Sequence, residues 1–380
     1  MLAASMPDTD DQLAVLYYSA PIGNGLVATV VDSDKVFLGG IYNSFNEVPG
    51  KWHPSFDGWR VNGTARATLP ATTSAIAPAN VSASVFALDV RRGVLLARYS
   101  LGPAGCAEVE RRVYAPRLGS PLLVTELEVL QNHCTKPLSI PLRNNFQAHR
   151  IRADGSNASI GADNDDFELE VLPLPYGQGR PAGDNIGAFG GKTRGAAAKC
   201  FGVCPLLNFT LNKDGCGAAN YDSKGNRGGP THTPYSNDAV CTPADPATRP
   251  TIAVVYDRVP TVWNIAAGAT STSSFVSAYG TSLNRTGTPL EQASAVHSNA
   301  HSLAASAKNG LFAAHVLEMT KLWSAQQGGA AILVDGNAVL ASATWSALHS
   351  LTSSQAAAWG QALPPQNGFG CAGLWAGGAQ

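Results

Sequence analysis

Several groups of residues have types and spacings that could do chemistry. Gly368, Gly370 and Gly373 spell G-x-G-x-x-G, which in dinucleotide-binding folds turns a strand into a helix whose N-terminus seats a pyrophosphate. Here "LPPQN" precedes the glycines, so the strand that this chemistry requires is missing. A near match at Gly23, Gly25 and Ala28 does follow an apolar run, but strand-like sequence comes next and no βαβ unit forms. His297 and His301 stand four apart in a helical segment, a spacing that puts two imidazoles on one face for a metal. No acidic residue sits between them as in H-E-x-x-H, so they read as two half-exposed helix histidines, and His315 as a packed histidine with a local hydrogen bond.

Asp163, Asp165 and Asp166 offer oxygen ligands but lack the glycine and distal glutamate of a calcium loop, and read as a solvated hairpin. Cys200, Cys204, Cys216 and Cys241 cluster at spacings that fit no tight zinc module, which favours loop disulfides or free thiols. With seven cysteines in all, at least one stays unpaired or bonds to another chain. No metal and no cofactor is assigned on these grounds. Nor does any motif here name an acid, a base or a nucleophile.

The elements that must position such groups follow from period and punctuation. From about residue 12 to 170 the chain runs in short β-branched and aromatic stretches broken by Gly, Pro and Asn, the pattern of successive antiparallel strands. Leu123, Thr125, Leu127 and Val129 share one strand face while Glu126 and Glu128 take the other. Val109 and Val113 likewise oppose Glu108, Glu110 and Arg112. Residues 173–250 lose periodicity and read as a long irregular insertion, partly disordered, inside one β domain spanning 1–288. Near residue 289 the period shifts to about 3.6. Phe312, Val316, Met319 and Trp323 make one helical stripe; Leu340, Thr344, Ala347 and Leu351 make a second, with Asp335 to Asn337 as its start. Residues 289–330 then form a helical linker and 331–380 a further helix with a Gly-rich loop, an α+β order.

At 380 residues the chain can bury a sizeable core. Its 26 Lys and Arg nearly balance 27 Asp and Glu, leaving no basic excess for nucleic acid, and no apolar run approaches membrane-spanning length. Asp8, Asp10 and Asp11 stand where a secretory leader would need a basic start, which slightly favours the cytoplasm and leaves secretion open.

Asn24 and Gly25, then Gly40, Ile41, Tyr42 and Asn43, then Arg111, Arg112 and Tyr114, and later Leu322 and Trp323, follow in an order that resembles glycoside hydrolase family 65, in its branch of acid trehalases and protein-glucosylgalactosylhydroxylysine glucosidases. Asn24 and Gly25 match an L-x-N-G-Y-L-G-like opening strand, with Leu26 where the family has Tyr; Gly40, Ile41, Tyr42 and Asn43 match the next turn. Leu88, Asp89 and Gly93, then Arg111, Arg112 and Tyr114, fall on similar strands, and Leu322, Trp323, Ser350 and Leu351 on similar helices. Gly373, Leu374 and Trp375 begin a loop similar to a G-L-S-x-G-G sugar-site loop, with Trp375 replacing Ser.

The resemblance implies a large antiparallel β-sandwich of the galactose-mutarotase-like kind, linker helices and the truncated start of an (α/α)6 barrel. It also implies an α-glucoside or disaccharide substrate, with the acid and base on the rest of that barrel, so the chain is expected to be inactive alone. Gly373, Leu374 and Trp375 are the implied substrate contacts. A first barrel helix without its neighbours exposes its apolar stripe, and is expected to fold back, fray or pair with another chain as a homo-oligomer. The alternative is a non-catalytic carbohydrate-binding or assembly module that stacks sugars on Tyr42, Trp52 and Trp59.

Overall fold

The computed structural model describes residues 2–4, 21–30, 35–45, 64–70, 74–76, 81–144, 150–151, 157–158, 167–174, 186–193, 251–282, 286–306, 310–324, 326, 329, 332 and 334–354. Strands come first: β1 (Leu2–Ala4), β2 (Pro21–Gly23), β3 (Val27–Val30), β4 (Lys35–Phe45), β5 (Thr64–Pro70) and β6 (Ser74–Ile76). Four long strands follow, β7 (Val81–Asp89), β8 (Val94–Leu101), β9 (Ala107–Tyr114) and β10 (Leu122–Asn132). Next are β11 (Leu138–Asn144), a two-residue pair β12 (Arg150–Ile151) and β13 (Asn157–Ala158), then β14 (Phe167–Val171) and β15 (Ile186–Thr193). β16 (Thr251–Asp257), β17 (Val262–Ile265) and β18 (Thr272–Thr281) complete the β part. Helices α1 (Pro289–Ser306), α2 (Gly310–Trp323) and α3 (Ala338–Ser354) follow.

Nine strands form one antiparallel sheet in the order β1-β7-β8-β9-β10-β18-β16-β15-β14. The alternation in β10 holds: Leu123, Leu127 and Val129 enter the cores on one face, Leu122 and Val124 the core on the other. On the first face Ile22, Val27, Val36 and Leu38 of the sheet β2-β3-β4-β5 meet Leu95, Val113 and Leu123. Alongside, Ile140, Leu142, Trp263 and Ile265 of the sheet β17-β11-β6 meet Tyr99, Val109 and Leu127. Helices α1 and α2 lie across the opposite face, where Ala300, Leu311 and Phe312 pack on Tyr114, Val124 and Val276, while Trp345 of α3 packs against the first-face core. The described residues are therefore α+β, a large antiparallel sheet followed by three helices.

The sequence expectation needs correction at three places. Residues 186–193, inside the stretch read as irregular, form β15 between β14 and β16. Glycine hides this strand because its role is close packing: a Cβ on Gly187 would lie 2.5 Å from the Tyr256 ring, and one on Gly190 2.6 Å from Leu172. In α2 the buried line is Leu311, His315 and Met319, one step round from the expected stripe, because His315 stacks on Tyr114 and Met319 fills the space left by Gly93. In α3 the side turned inward carries Trp345, His349 and Ser353, while Leu340, Ala347 and Leu351 of the expected stripe are exposed. Cys106 and Cys134, not singled out by spacing, form a disulfide; Cys200, Cys204, Cys216 and Cys241 lie outside the described residues, as do Asp163, Asp165 and Asp166.

Helix starts follow local chemistry. Thr288 and Glu291 form a capping box: the Glu291 carboxylate accepts from the Thr288 amide at 2.8 Å and the Thr288 hydroxyl accepts from the Glu291 amide at 3.3 Å, with Pro289 opening the helix. Asn337 caps α3 by accepting from the Leu340 amide.

One residue ties the first strands to the last helix. The Asn24 side chain is buried at the β2–β3 turn. Its carbonyl accepts from the Leu26 and Val27 amides, and its amide donates to the carbonyls of Pro116 and Ser120 at 2.8 and 2.9 Å. Gly25 beside it takes φ 83, and its amide donates to the Ser353 carbonyl in the last turn of α3. The Arg117 guanidinium donates to the neighbouring Thr352 carbonyl at 2.7 Å. Replacing Asn24 with Ala strands the Pro116 carbonyl in the interior. In urea denaturation the variant is expected to lose about 3 kcal/mol, more than one surface hydrogen bond contributes.

Candidate functional site

Three polar side chains from two elements converge where α1 crosses β16. Parity along β16 sends Ile252, Val254 and Tyr256 to the core shared with the small sheet, and turns Val255 and Asp257 toward α1. The last registered pair between β16 and β18 is Tyr256 with Ser277, so the next β18 amide has lost its ladder partner. Asp257 supplies one: the Val276 amide donates to its Oδ2 at 2.8 Å. Helix α1 approaches closely because Gly280 has no side chain, a Cβ there falling 1.9 Å from the Pro289 carbonyl oxygen, and because Ala293 and Ala300 face the sheet.

One turn apart on that helix, His297 and His301 both present Nε2 to the same carboxylate. His297 Nε2 lies 3.0 Å from Asp257 Oδ1, and His301 Nε2 lies 3.1 Å from both oxygens. The His297 side chain is fully buried, that of Asp257 is 12% exposed and that of His301 39%, so the cluster opens to solvent chiefly at one ring. Burial alone would push the Asp257 carboxyl up, but hydrogen bonds from the two imidazoles outweigh it and hold it at about 2. The group is an ionised carboxylate facing two ring nitrogens, with one ligand atom from each residue lying within 4.8 Å of the others. This set could hold a divalent ion.

Sequence reading brings out the two histidines but treats them as half-exposed and unconnected. His297 is buried, and the carboxylate missing from their helix comes from a strand 40 residues away. The signal available was the parity of Ala253, Val255 and Asp257, which puts an acid on a face otherwise committed to apolar packing. His315 is a packed histidine as expected. It stacks on Tyr114 with ring centroids 5.0 Å apart, its Nδ1 accepts from the Arg117 amide, and burial lowers its pKa to about 4, so it stays neutral.

A second polar constellation lies on the same face of the sheet. Glu110 accepts from Arg98 and Arg112, each at 2.8 Å; Arg112 also pairs with Glu128 and stands 3.8 Å from Glu126. Tyr114 donates its hydroxyl to Glu126 at 2.8 Å, and the Arg112 guanidinium lies over the Phe312 ring. Burial raises the Glu126 carboxyl above the usual range. The face that alternation marks as solvated thus holds Glu110 and Glu126 at 4% and 7% exposure, affordable because arginine neutralises them. These carboxylates are bound to arginine and tyrosine, which suits them to filling the sheet face and not to exchanging protons with a substrate.

The other sequence candidates lie largely outside the described residues. Tyr42 lies on β4 opposite Arg66 of β5, and its side chain is outside the described part, as are Trp52, Trp59, Gly373, Leu374 and Trp375. Gly23 ends β2, paired with Ala28, and Gly25 sits in the turn to antiparallel β3, so a strand and not a helix follows them.

The Asp257 carboxyl has its pKa below the unfolded value, so its contribution is present above the ordinary carboxylate range and is lost as pH falls through about 2. Asp257→Asn, measured by denaturation in the presence of chelator, is expected to lose about 2 kcal/mol at neutral pH and to show a flatter acid limb.

No family model matches this sequence, and no curated protein matches it. Among solved structures, a putative kojibiose phosphorylase from human microbiome superposes on 92% of this chain and 38% of its own length, at 9% identity and a TM-score of 0.48. The chain thus spans less than two-fifths of that structure, and a likeness at this level identifies neither family nor activity.

Proposed function

We propose that this chain is the β domain and the opening helix of an α-glucoside-active enzyme similar to glycoside hydrolase family 65. Its work is to hold the start of a helical barrel in a fixed orientation. The small sheets packed on one face of the large sheet correspond to the second layer of a galactose-mutarotase-like sandwich, and α3 to the first helix of an (α/α)6 barrel. The catalytic carboxylates belong to that barrel and lie outside the described residues.

The observation that carries this reading is the attachment of α3. The Asn24-Gly25 pair, which the motif resemblance singles out, is the point where the β domain grips α3, through the Gly25 amide and the Ser353 carbonyl at 3.0 Å. Arg91 stacks over the Trp345 ring at 4.7 Å, and Trp323 packs against the same ring. The helix leaves its other side exposed, Val339 at 80%, Leu340 at 55% and Leu351 at 36%. A helix held along one side with a bare apolar stripe on the other has the form of the first member of a larger helical layer.

Cleavage of an α-glucoside needs a carboxylic acid to protonate the leaving oxygen and an activated water, or a phosphate, on the opposite side of the sugar. Hydrolysis and phosphorolysis differ only in that acceptor, so phosphate dependence separates them. Sequencing the transcript downstream of codon 380 is expected to continue in frame into a G-H-x-F-W-D-like segment. The product of that longer frame is expected to release glucose, or glucosyl phosphate when phosphate is supplied, from trehalose, kojibiose or glucosylgalactose. Turnover by the 380-residue chain alone, or a longer product inactive on all three sugars, contradicts the proposal.

A further inference from the structure

We infer that Asp257, His297 and His301 form a binding site for a divalent transition-metal ion of the zinc class, which fastens α1 to the end of β16. The inference is independent of the glucoside reading and concerns the joint between sheet and helices.

The geometry is that of a ligand set. Zinc binds imidazole nitrogen and carboxylate oxygen at about 2.0–2.2 Å, so neighbouring ligands of a tetrahedral shell lie roughly 3.3 Å apart. Both Nε2 atoms stand 3.0 to 3.1 Å from Asp257 Oδ1, within a few tenths of an ångström of that edge, and all three ligand atoms lie within 4.8 Å of one another, so the two rings would draw together on an ion. Spacing of four residues on α1 places the two rings on one side of the helix, with centroids 4.6 Å apart. The donor set, two imidazoles and one carboxylate, suits zinc and its neighbours in the first transition row and not calcium or magnesium, which take oxygen ligands.

The surroundings support the same assignment. The Val276 amide holds Oδ2, an outer-shell hydrogen bond that leaves Oδ1 facing the imidazoles. His297 is fully buried and presents its Nε2 to the Asp257 carboxylate at 3.0 Å. A hydrogen-bonded clamp would need one histidine. Here a second ring, partly exposed and one turn on, reaches the same oxygens, and its open side gives an ion a route in and a water a place in the shell.

The test uses the full chain stripped with chelator and titrated with Co2+, whose visible ligand-field bands report tetrahedral nitrogen and oxygen donors. Thiolate-to-cobalt charge transfer marks binding to any of the five cysteines outside the Cys106–Cys134 disulfide and separates the two cases. The expected result is saturation at one equivalent without the thiolate band, displacement by Zn2+ and a raised melting temperature with either ion, with no effect of Mg2+. His301→Ala removes the most exposed ligand, and His301→Gln keeps a hydrogen-bonding side chain near Asp257 should the alanine variant fail to fold. Either folded variant is expected to bind Co2+ roughly a hundredfold more weakly, at or beyond the upper limit for loss of an outer-shell partner. No saturable ligand-field band, a band accompanied by thiolate charge transfer, or undiminished binding in both variants would overturn the site.

Discussion

A broad antiparallel sheet has two faces, and neither can be left to water if its strands carry apolar residues on both sides. Here the central strands do. In β10, Leu123 and Leu127 look one way and Leu122 and Val124 the other, and in β18 Phe275 and Tyr279 oppose Val276 and Ala278. The small sheets take the first face. Among the described residues α1 and α2 are the elements that cover the second. The seating of those helices is therefore the condition on which the rest depends. It is met by subtraction as much as by contact: Gly280 lets the first turn of α1 lie directly on β18, Gly93 admits Met319, and Ala293 and Ala300 keep the approach close.

Where helices stop covering the sheet, charge takes over. The Arg98, Glu110, Arg112 and Glu128 ladder continues the helix-facing side beyond Phe312, and arginine lies over the last aromatic ring. Replacing such a ladder with apolar residues would often cost no stability, so its presence is better understood as keeping a partly exposed sheet face soluble and in one register. Asp257 solves a different problem on the same face. It stands where the β16–β18 ladder runs out, and one carboxylate satisfies a strand amide and two helix imidazoles at once. Asn24 does the same for a turn, with four hydrogen bonds to backbone groups.

What the sequence made legible was local and periodic. The alternation of β9 and β10, the starts of α1 near residue 289 and of α3 at Asn337, and the order of strands before helices all follow from period and capping. What it concealed depended on distant partners. β15 was hidden because its glycines serve packing against Tyr256 and Leu172, which composition reads as disorder. The inward sides of α2 and α3 were misplaced because His315, Trp345 and His349 are buried by specific neighbours, while a stripe of simple apolarity favoured other positions. His297 and His301 were visible as a pair, yet their meaning required an acid 40 residues earlier in the chain. Tyr42 and Arg112 show the same limit in reverse, since motif order locates them on strands and says nothing of what their side chains touch.

The account turns on a β domain that holds α3 rigidly while leaving one side of it bare. Native-state hydrogen exchange of the intact chain, resolved by peptide over residues 338–354, measures that hold most directly. The account predicts protection in the last turns of α3, around Thr352 and Ser353, that approaches protection in β9 and β10 and is lost together with it as denaturant rises. Exchange of α3 at the rate of an isolated peptide, while the sheet remains protected, would contradict it, because the helix would then be tethered to the domain and not positioned by it.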